Sequence, residues 1–295
     1  MAKKILISGS SGFIGKALIS HLKEHDIWRL VRSSQQGNAI IWNPSREEIP
    51  LAQLEGFDAV FHLAGRNIAE GRWTKRRKEE IFLSRSRDTW LLARAMSRLK
   101  KPPKFFFSTS AVGFYGDRGD EILTEESCIG KGFLPSVCLK WEEATQALEQ
   151  EGVRVVHGRL GTVISNKGGM LQKILPLFRR GLGSRLGNGQ QWMSWISLTD
   201  AVRALEFLLS NPKLKGTFNL VSPHPLRNEE FTQILARSAG KKPFLPIPAF
   251  ILKLALGDMA RELLLASARV MPQRLIGSGF TFEYPDLTAA LNAKF

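Results

Sequence analysis

Along the first half of the chain, short apolar runs alternate with stretches whose apolar positions recur at helical spacing. "KKILISG" (3–9) is a strand that runs straight into glycines, and "KALISHLKEH" (16–25) follows as a helix. "IWRLVR" (27–32), "DAVFHLAG" (58–65) and "KFFFSTSAVG" (104–113) read as further strands, and "DTWLLARAMSRL" (88–99) as an amphipathic helix. "CLKWEEATQALEQEG" (138–152) is a helix closed by Gly152, and "VRVVHGRLGTVIS" (153–165) is the next strand. Alternating strands and helices predict an α/β fold, a Rossmann-like doubly wound parallel sheet with right-handed crossovers. Ligands of such a sheet gather at the carboxyl ends of its strands.

From residue 166 the rhythm breaks into a glycine-rich segment with two tryptophans. "LTDAVRALEFLLSNP" (198–212) restores a helix, and "GTFNLVS" (216–222) supplies a strand that rejoins the sheet. Proline-rich "KKPFLPIPAF" then introduces the helical stretch "ILKLALGDMARELLLAS". The expected division is a dinucleotide-binding domain over 1–165, rejoined by 198–222, and a smaller C-terminal substrate lobe from 166–197 and 223–295.

Composition narrows the class. With 295 residues, 43% apolar and 23% charged, the chain can bury a large core. No apolar run approaches the ~20 residues that cross a bilayer, and the charged start has no cleavage site, so the reading is cytoplasmic. Cys128 and Cys138 match no metal spacing and read as free thiols, and no metal is expected. The formal net charge is +15, and residues 66–101 carry twelve basic and four acidic side chains, +8 of the excess. Such a bias draws nucleic acid, an anionic membrane face or a phosphorylated small molecule. The absence of an aromatic platform, a helix-turn-helix or a finger argues against nucleic acid.

The candidate chemistry begins at Gly9-Ser-Ser-Gly12-Phe-Ile-Gly15, between the first strand and the first helix. Glycine allows the tight turn and close approach of the backbone to a pyrophosphate, which rests on the helix N-terminus. Ser11, Phe13 and Ile14 lie beside it. The second strand ends in Val31-Arg32, and no acidic residue occurs between Asp26 and Glu47. A carboxylate there suits a free ribose hydroxyl, whereas a guanidinium grips a 2′-phosphate, so the expected cofactor is NADP(H).

"ISGSSGFIG", "DAVFHLAG" and "STSAVGFYG", in that order, resemble the extended short-chain dehydrogenases/reductases, the epimerase/dehydratase group. "RWTKRRKEEIFLSR", "GNGQQWMSWISLTD" and "MPQRLIGSGFTFEYPDLTAAL" resemble its atypical branch of sugar-nucleotide epimerase-like proteins. The resemblance implies that Leu63, Ala64, Gly65 and Ser108 run beside the cofactor. It also implies that Glu80, Ser84 and Arg85 face it from a helix, and that Thr162 and Val163 pass the nicotinamide amide. Ser110 stands where the family places its catalytic serine, and Tyr115 is the one tyrosine near that strand end. The family's Tyr-x-x-x-Lys does not occur: only Tyr115 and Tyr284 exist, followed four places on by Gly119 and Thr288. Leu134 or Ser136 takes the tyrosine's place, and Cys138 or Lys140 the lysine's. Over the substrate, Arg179, Arg180 and Arg185 suit a diphosphate, while Gln191, Trp192 and Trp195 offer an amide and stacking faces. Ser197 departs from the branch, which commonly has histidine there.

These readings imply an NADP(H)-binding, epimerase-like oxidoreductase acting on a nucleotide-linked or phosphorylated small molecule, of unassigned reaction. The alternative is a non-catalytic NADPH sensor or scaffold that offers its basic helix to an acidic macromolecule. Oligomeric state is not specified by these patterns.

Overall fold

A computed structural model describes residues 2–33, 37–166 and 168–292. Seven parallel strands form the central sheet: β1 Lys4–Ser8, β2 Asp26–Val31, β3 Ala39–Ile41, β4 Ala59–His62, β5 Phe105–Ala111, β6 Arg154–Leu160 and β7 Gly216–Leu220. Their order is β7-β6-β5-β4-β1-β2-β3, so the direction of winding reverses between β1 and β4. The helices used below are α1 Phe13–His21, α2 Lys75–Leu83, α3 Ser86–Ser97, α4 Phe133–Glu143, α5 Gly169–Arg179, α6 Leu198–Ser210, α7 Asn228–Ser238 and α8 Ala249–Leu256.

The strands are continuous apolar runs because both faces of the sheet are covered. Ile5, Ile7, Phe61, Phe105 and Phe107 pack with α1 and α6 on one face, and Leu6, Val60 and Phe106 with Leu92 and Met96 of α3 on the other. A third cluster joins α5, α7 and the last helix, Leu287–Asn292, around Trp195, Phe231 and Leu287.

The apolar run 153–165 is two strands. β6 ends at Leu160, and Thr162–Ile164 leaves the sheet to pair in parallel with Trp195–Ser197. Gly161 lies at the branch, where a methyl group would stand 2.7 Å from the Ser194 carbonyl oxygen. The long C-terminal helical stretch also breaks: α8 stops at Gly257 (φ +61°), and Ala260–Leu264 continues as a π-helical turn. α4 begins at Phe133, five residues before the pattern announced it.

Candidate functional site

The glycine turn sits at the switch point. Gly9 has φ +68°, and a Cβ there would lie 2.7 Å from the Leu63 carbonyl carbon and 2.8 Å from the Ala64 nitrogen. The ends of β1 and β4 can be this close only without a side chain. Gly12 donates to the Gly9 carbonyl at 2.9 Å and starts α1 with no side-chain cap, leaving the first-turn N–H groups facing the turn. A Cβ at Gly15 would stand 2.3 Å from the Gly9 oxygen, so the third glycine lets the helix close on the strand. Ser11 is exposed, Ile14 is partly buried, and the Phe13 ring lies under Gly168 and Gly169, tying α1 to the start of α5.

Val31 is buried at the end of β2, and the Arg32 side chain is 53% exposed. Arg32 Nη2 donates to Asp88 Oδ2 at 3.3 Å, and Arg87 Nη2 to Asp88 Oδ1 at 3.0 Å. Two guanidinium groups thus share one buried carboxylate, leaving a net positive cluster beside the glycine turn. Residue patterning pointed to Arg32 alone. Below it, His62 is fully buried between the hydroxyls of Ser8 (2.7 Å) and Thr89 (3.0 Å), and burial lowers its pKa to about 4.

At the carboxyl end of β5 the candidate side chains are joined in one polar network. Ser110 Oγ donates to Glu142 Oε1 at 2.7 Å, and Arg159 grips Glu142 through Nε and Nη2, both at 2.8 Å. Arg159 Nη1 also donates to the Tyr115 hydroxyl at 2.9 Å, which donates onward to Asn219 Oδ1 at 2.7 Å. Tyr115 is wholly buried, and burial pushes its phenol pKa up. The Tyr115 hydroxyl thus ties Arg159 of β6 to Asn219 of β7. Ser108 is also fully buried, one pleat below Ser110, and among the described residues its hydroxyl has no hydrogen-bond partner.

α4 lays Leu134 and Cys138 against the end of β5. A Cβ at Gly113 would stand 3.3 Å from Leu134 Cβ and 3.8 Å from Cys138 Sγ. Ser136 and Lys140 point elsewhere: Ser136 Oγ bonds back to Gly132, and Lys140 pairs with Glu143. Of the two pairs, Leu134 with Cys138 therefore faces the end of β5, and Ser136 with Lys140 does not. Burial, then the Glu142 charge, pushes the Cys138 thiol up to about 12. Glu262, in the π-helical turn, accepts from the Phe133 and Leu134 N–H groups at 3.0 and 2.7 Å and so caps α4. No motif pointed to this carboxylate.

The facing helix is only partly available. Glu80 accepts from Arg76 and Arg77, both at 3.2 Å, and those bonds, Arg77's first, lower its pKa. Arg85 turns inward under Gly65, donates to the carbonyls of Ile81 and Arg66 and lies 4.9 Å over the Trp141 ring. Burial brings its pKa down to about 10. Glu80, expected at a ribose, and Arg85, expected at a phosphate, each have protein partners here. Ser84 is buried and caps the Arg66 N–H. Leu63 and Ala64 are partly buried and Gly65 is exposed, while Thr162 and Val163 line the branch strand.

Of the substrate-side residues, Arg179 and Arg180 are exposed at the end of α5, and Arg185 pairs with Glu229 at 3.0 Å. Trp195 is fully buried in the core and its indole N–H donates to the His224 carbonyl. Gln191 is buried too, its amide donating to the carbonyls of Leu186 and Leu264. Trp192 keeps a partly open ring, flanked by the guanidiniums of Arg227 and Arg269 at 4.6 and 4.5 Å. Both cysteines are free, and among the described residues no cluster of His, Cys, Asp or Glu could hold a metal.

The chain is similar to known proteins in sequence and fold. Residues 5–221 match the NAD dependent epimerase/dehydratase family, and residues 247–293 match a domain of unknown function (DUF1731). An epimerase family protein of Mycobacterium bovis is 40% identical over 97% of this chain and 96% of its own. The crystal structure of the human epimerase family protein SDR39U1 with NADPH superposes with a TM-score of 0.89 at 30% identity, covering 97% of each chain. A nucleoside-diphosphate sugar epimerase from Corynebacterium glutamicum gives 0.82 at 34% identity, over 98% of this chain and 57% of its own. With its glycine turn at the switch point and its match along nearly the whole length, the chain belongs to the NAD-dependent epimerase/dehydratase family of extended short-chain dehydrogenases/reductases.

Proposed function

We propose that the chain binds NADP(H) across the carboxyl ends of β1 and β4 and acts as an epimerase-like oxidoreductase on a small phosphorylated or nucleotide-linked molecule. The observation that carries this reading is the side-chain-free contact of Gly9 with the Leu63–Ala64 backbone, which leaves a cradle that a single Cβ would fill. The uncapped N-terminus of α1 would hold the pyrophosphate, and Arg32 with Arg87 the 2′-phosphate. The NADPH in the human relative supports the same choice. When bound, the nicotinamide gives or accepts hydride. The usual proton donor has no counterpart here, because Leu134 has no proton to give and Cys138 holds its own too tightly. The accompanying proton therefore comes from solvent or from the substrate itself.

That same substitution favours a second reading, in which the protein senses NADPH without turnover and uses its basic α2–α3 segment to meet an acidic partner. Titration with NADPH and NADH, followed by tryptophan fluorescence, tests the shared half of both readings, and NADPH is expected to bind more tightly. Screening alcohols and carbonyls by nicotinamide absorbance then separates them. Turnover of any substrate removes the sensor reading.

A further inference from the structure

Away from the cleft, the second substrate-side segment presents an apolar surface to solvent. The strand Phe244–Ile247 pairs in parallel with Ser184–Leu186, and its first N–H donates to Gly183 at 2.7 Å, which brings Leu182 beside Phe244. α8 follows directly and turns Phe250, Ile251 and Leu254 outward. Leu245 is 72% exposed and Leu254 77%, large values for side chains whose burial is favourable by about 2 kcal/mol each. A contiguous face of this kind marks an interaction site.

Charge identifies the occupant. Segments 171–190 and 237–257, which contain this face and flank it in the chain, hold Lys173, Arg179, Arg180, Arg185, Arg237, Lys241, Lys242 and Lys253 and no Asp or Glu. Outside them, Glu229 offsets Arg185, and Asp258 is held by Lys78 and Arg261. Two copies placed face to face would bring these cationic rims together, which opposes a homodimer. A protein partner would require roughly one hydrogen bond per 100–200 Å². From Phe244 to Leu256 the only side chain able to make one is that of Lys253. Hydrocarbon surrounded by lysines that can extend toward phosphates matches a lipid surface instead.

We propose that Phe244–Leu256 is a docking face for an anionic phospholipid bilayer, with Leu245, Phe250 and Leu254 entering the acyl boundary and Lys241, Lys242 and Lys253 meeting the headgroups. Among the described residues no helix is long and apolar enough to cross a membrane, so the attachment is at the surface.

Co-sedimentation of the full chain with vesicles of phosphatidylcholine alone, and of phosphatidylcholine mixed with phosphatidylglycerol, tests the proposal. Binding is expected only to the mixed vesicles and should weaken with salt. Each lysine exchanged in Lys241→Gln, Lys242→Gln and Lys253→Gln should cost roughly fivefold. The pair Phe250→Ser and Leu254→Ser should cost at least about tenfold per side chain. These side chains are exposed, so an unchanged melting temperature confirms that the variants fold. Equal binding to neutral vesicles, or binding to neither, overturns the proposal. So does a dimer in sedimentation velocity that the serine pair dissolves, or retention on soluble polyglutamate that matches vesicle binding and ignores the serine pair.

Discussion

The Ser110 hydroxyl donates to Glu142 Oε1 at 2.7 Å, and the same carboxylate is gripped at two points by Arg159. The serine that a short-chain dehydrogenase would aim at its substrate is here one end of a buried polar chain running through Glu142, Arg159 and Tyr115 to Asn219. Breaking a buried ion pair at one partner leaves the other charge uncompensated, at a cost of about 3–5 kcal/mol. Glu142→Gln should therefore lower the melting temperature sharply, whereas Ser110→Ala should shift it only slightly. Thermal unfolding of the two variants checks this, and equal small shifts would show that the network is not buried as described.

Arg32→Ala tests the choice of cofactor. Removing a charge-assisted bond to a phosphate costs about 1.5–3 kcal/mol, so NADPH affinity should fall roughly 10- to 100-fold while NADH affinity stays level. Among the described residues Asp88 would then keep Arg87 alone, and its less-compensated charge would repel the 2′-phosphate, deepening the loss. An Arg32→Ala protein that still prefers NADPH moves the recognition elsewhere.

Gly15→Ala should be worse than Gly12→Ala. The added methyl meets the Gly9 carbonyl oxygen at 2.3 Å in the first case and at 3.1 Å in the second, and backbone on both sides leaves little room to yield. Expression yield, melting temperature and NADPH binding should rank wild type, then Gly12→Ala, then Gly15→Ala.

The cysteines offer a chemical test of the site. Cys128 is exposed, whereas Cys138 is buried with its thiol pushed up to about 12, and the thiolate is the reactive form. Iodoacetamide on the native protein should give a single adduct, at Cys128, and on the unfolded protein two. Rapid native modification at Cys138 would show that α4 opens and that this position is accessible to ligands.

The glycine turn and the parallel, doubly wound sheet around it were legible in the sequence because backbone geometry restricts the residues that can stand in the turn and alternating strands and helices restrict the topology. The inward roles of Tyr115, Gln191 and Trp195 were not, since residue type does not reveal which way a ring or amide faces. Tyr115 meets Asn219 across 104 positions, and Ser110 meets Glu142 across 32, distances over which local patterning carries no signal. A signal did exist in Arg159, which with His157 interrupts the strand run "VVHGRL" and, as a charge there, requires a buried partner. β3 was missed because its Ala39–Ile41 run is too short to show a period.

His62 makes stability depend on pH. It is fully buried, with hydroxyl partners on both ring nitrogens and a pKa near 4 against 6.5 for a free side chain. The unfolded chain takes up a proton as pH falls through 6.5, while the folded protein refuses it until about 4. The unfolded state binds more protons across that window, so stability is full above pH 6.5 and is lost as pH falls toward 4, by roughly 3 kcal/mol from this group. Burial lowers the His157 pKa as well, so the measured loss will exceed the share from His62. Denaturant midpoints of wild type and His62→Gln, taken between pH 7 and 4, separate the two contributions. The variant should start less stable and lose less on acidification, and parallel curves would remove His62 as a source of the pH dependence.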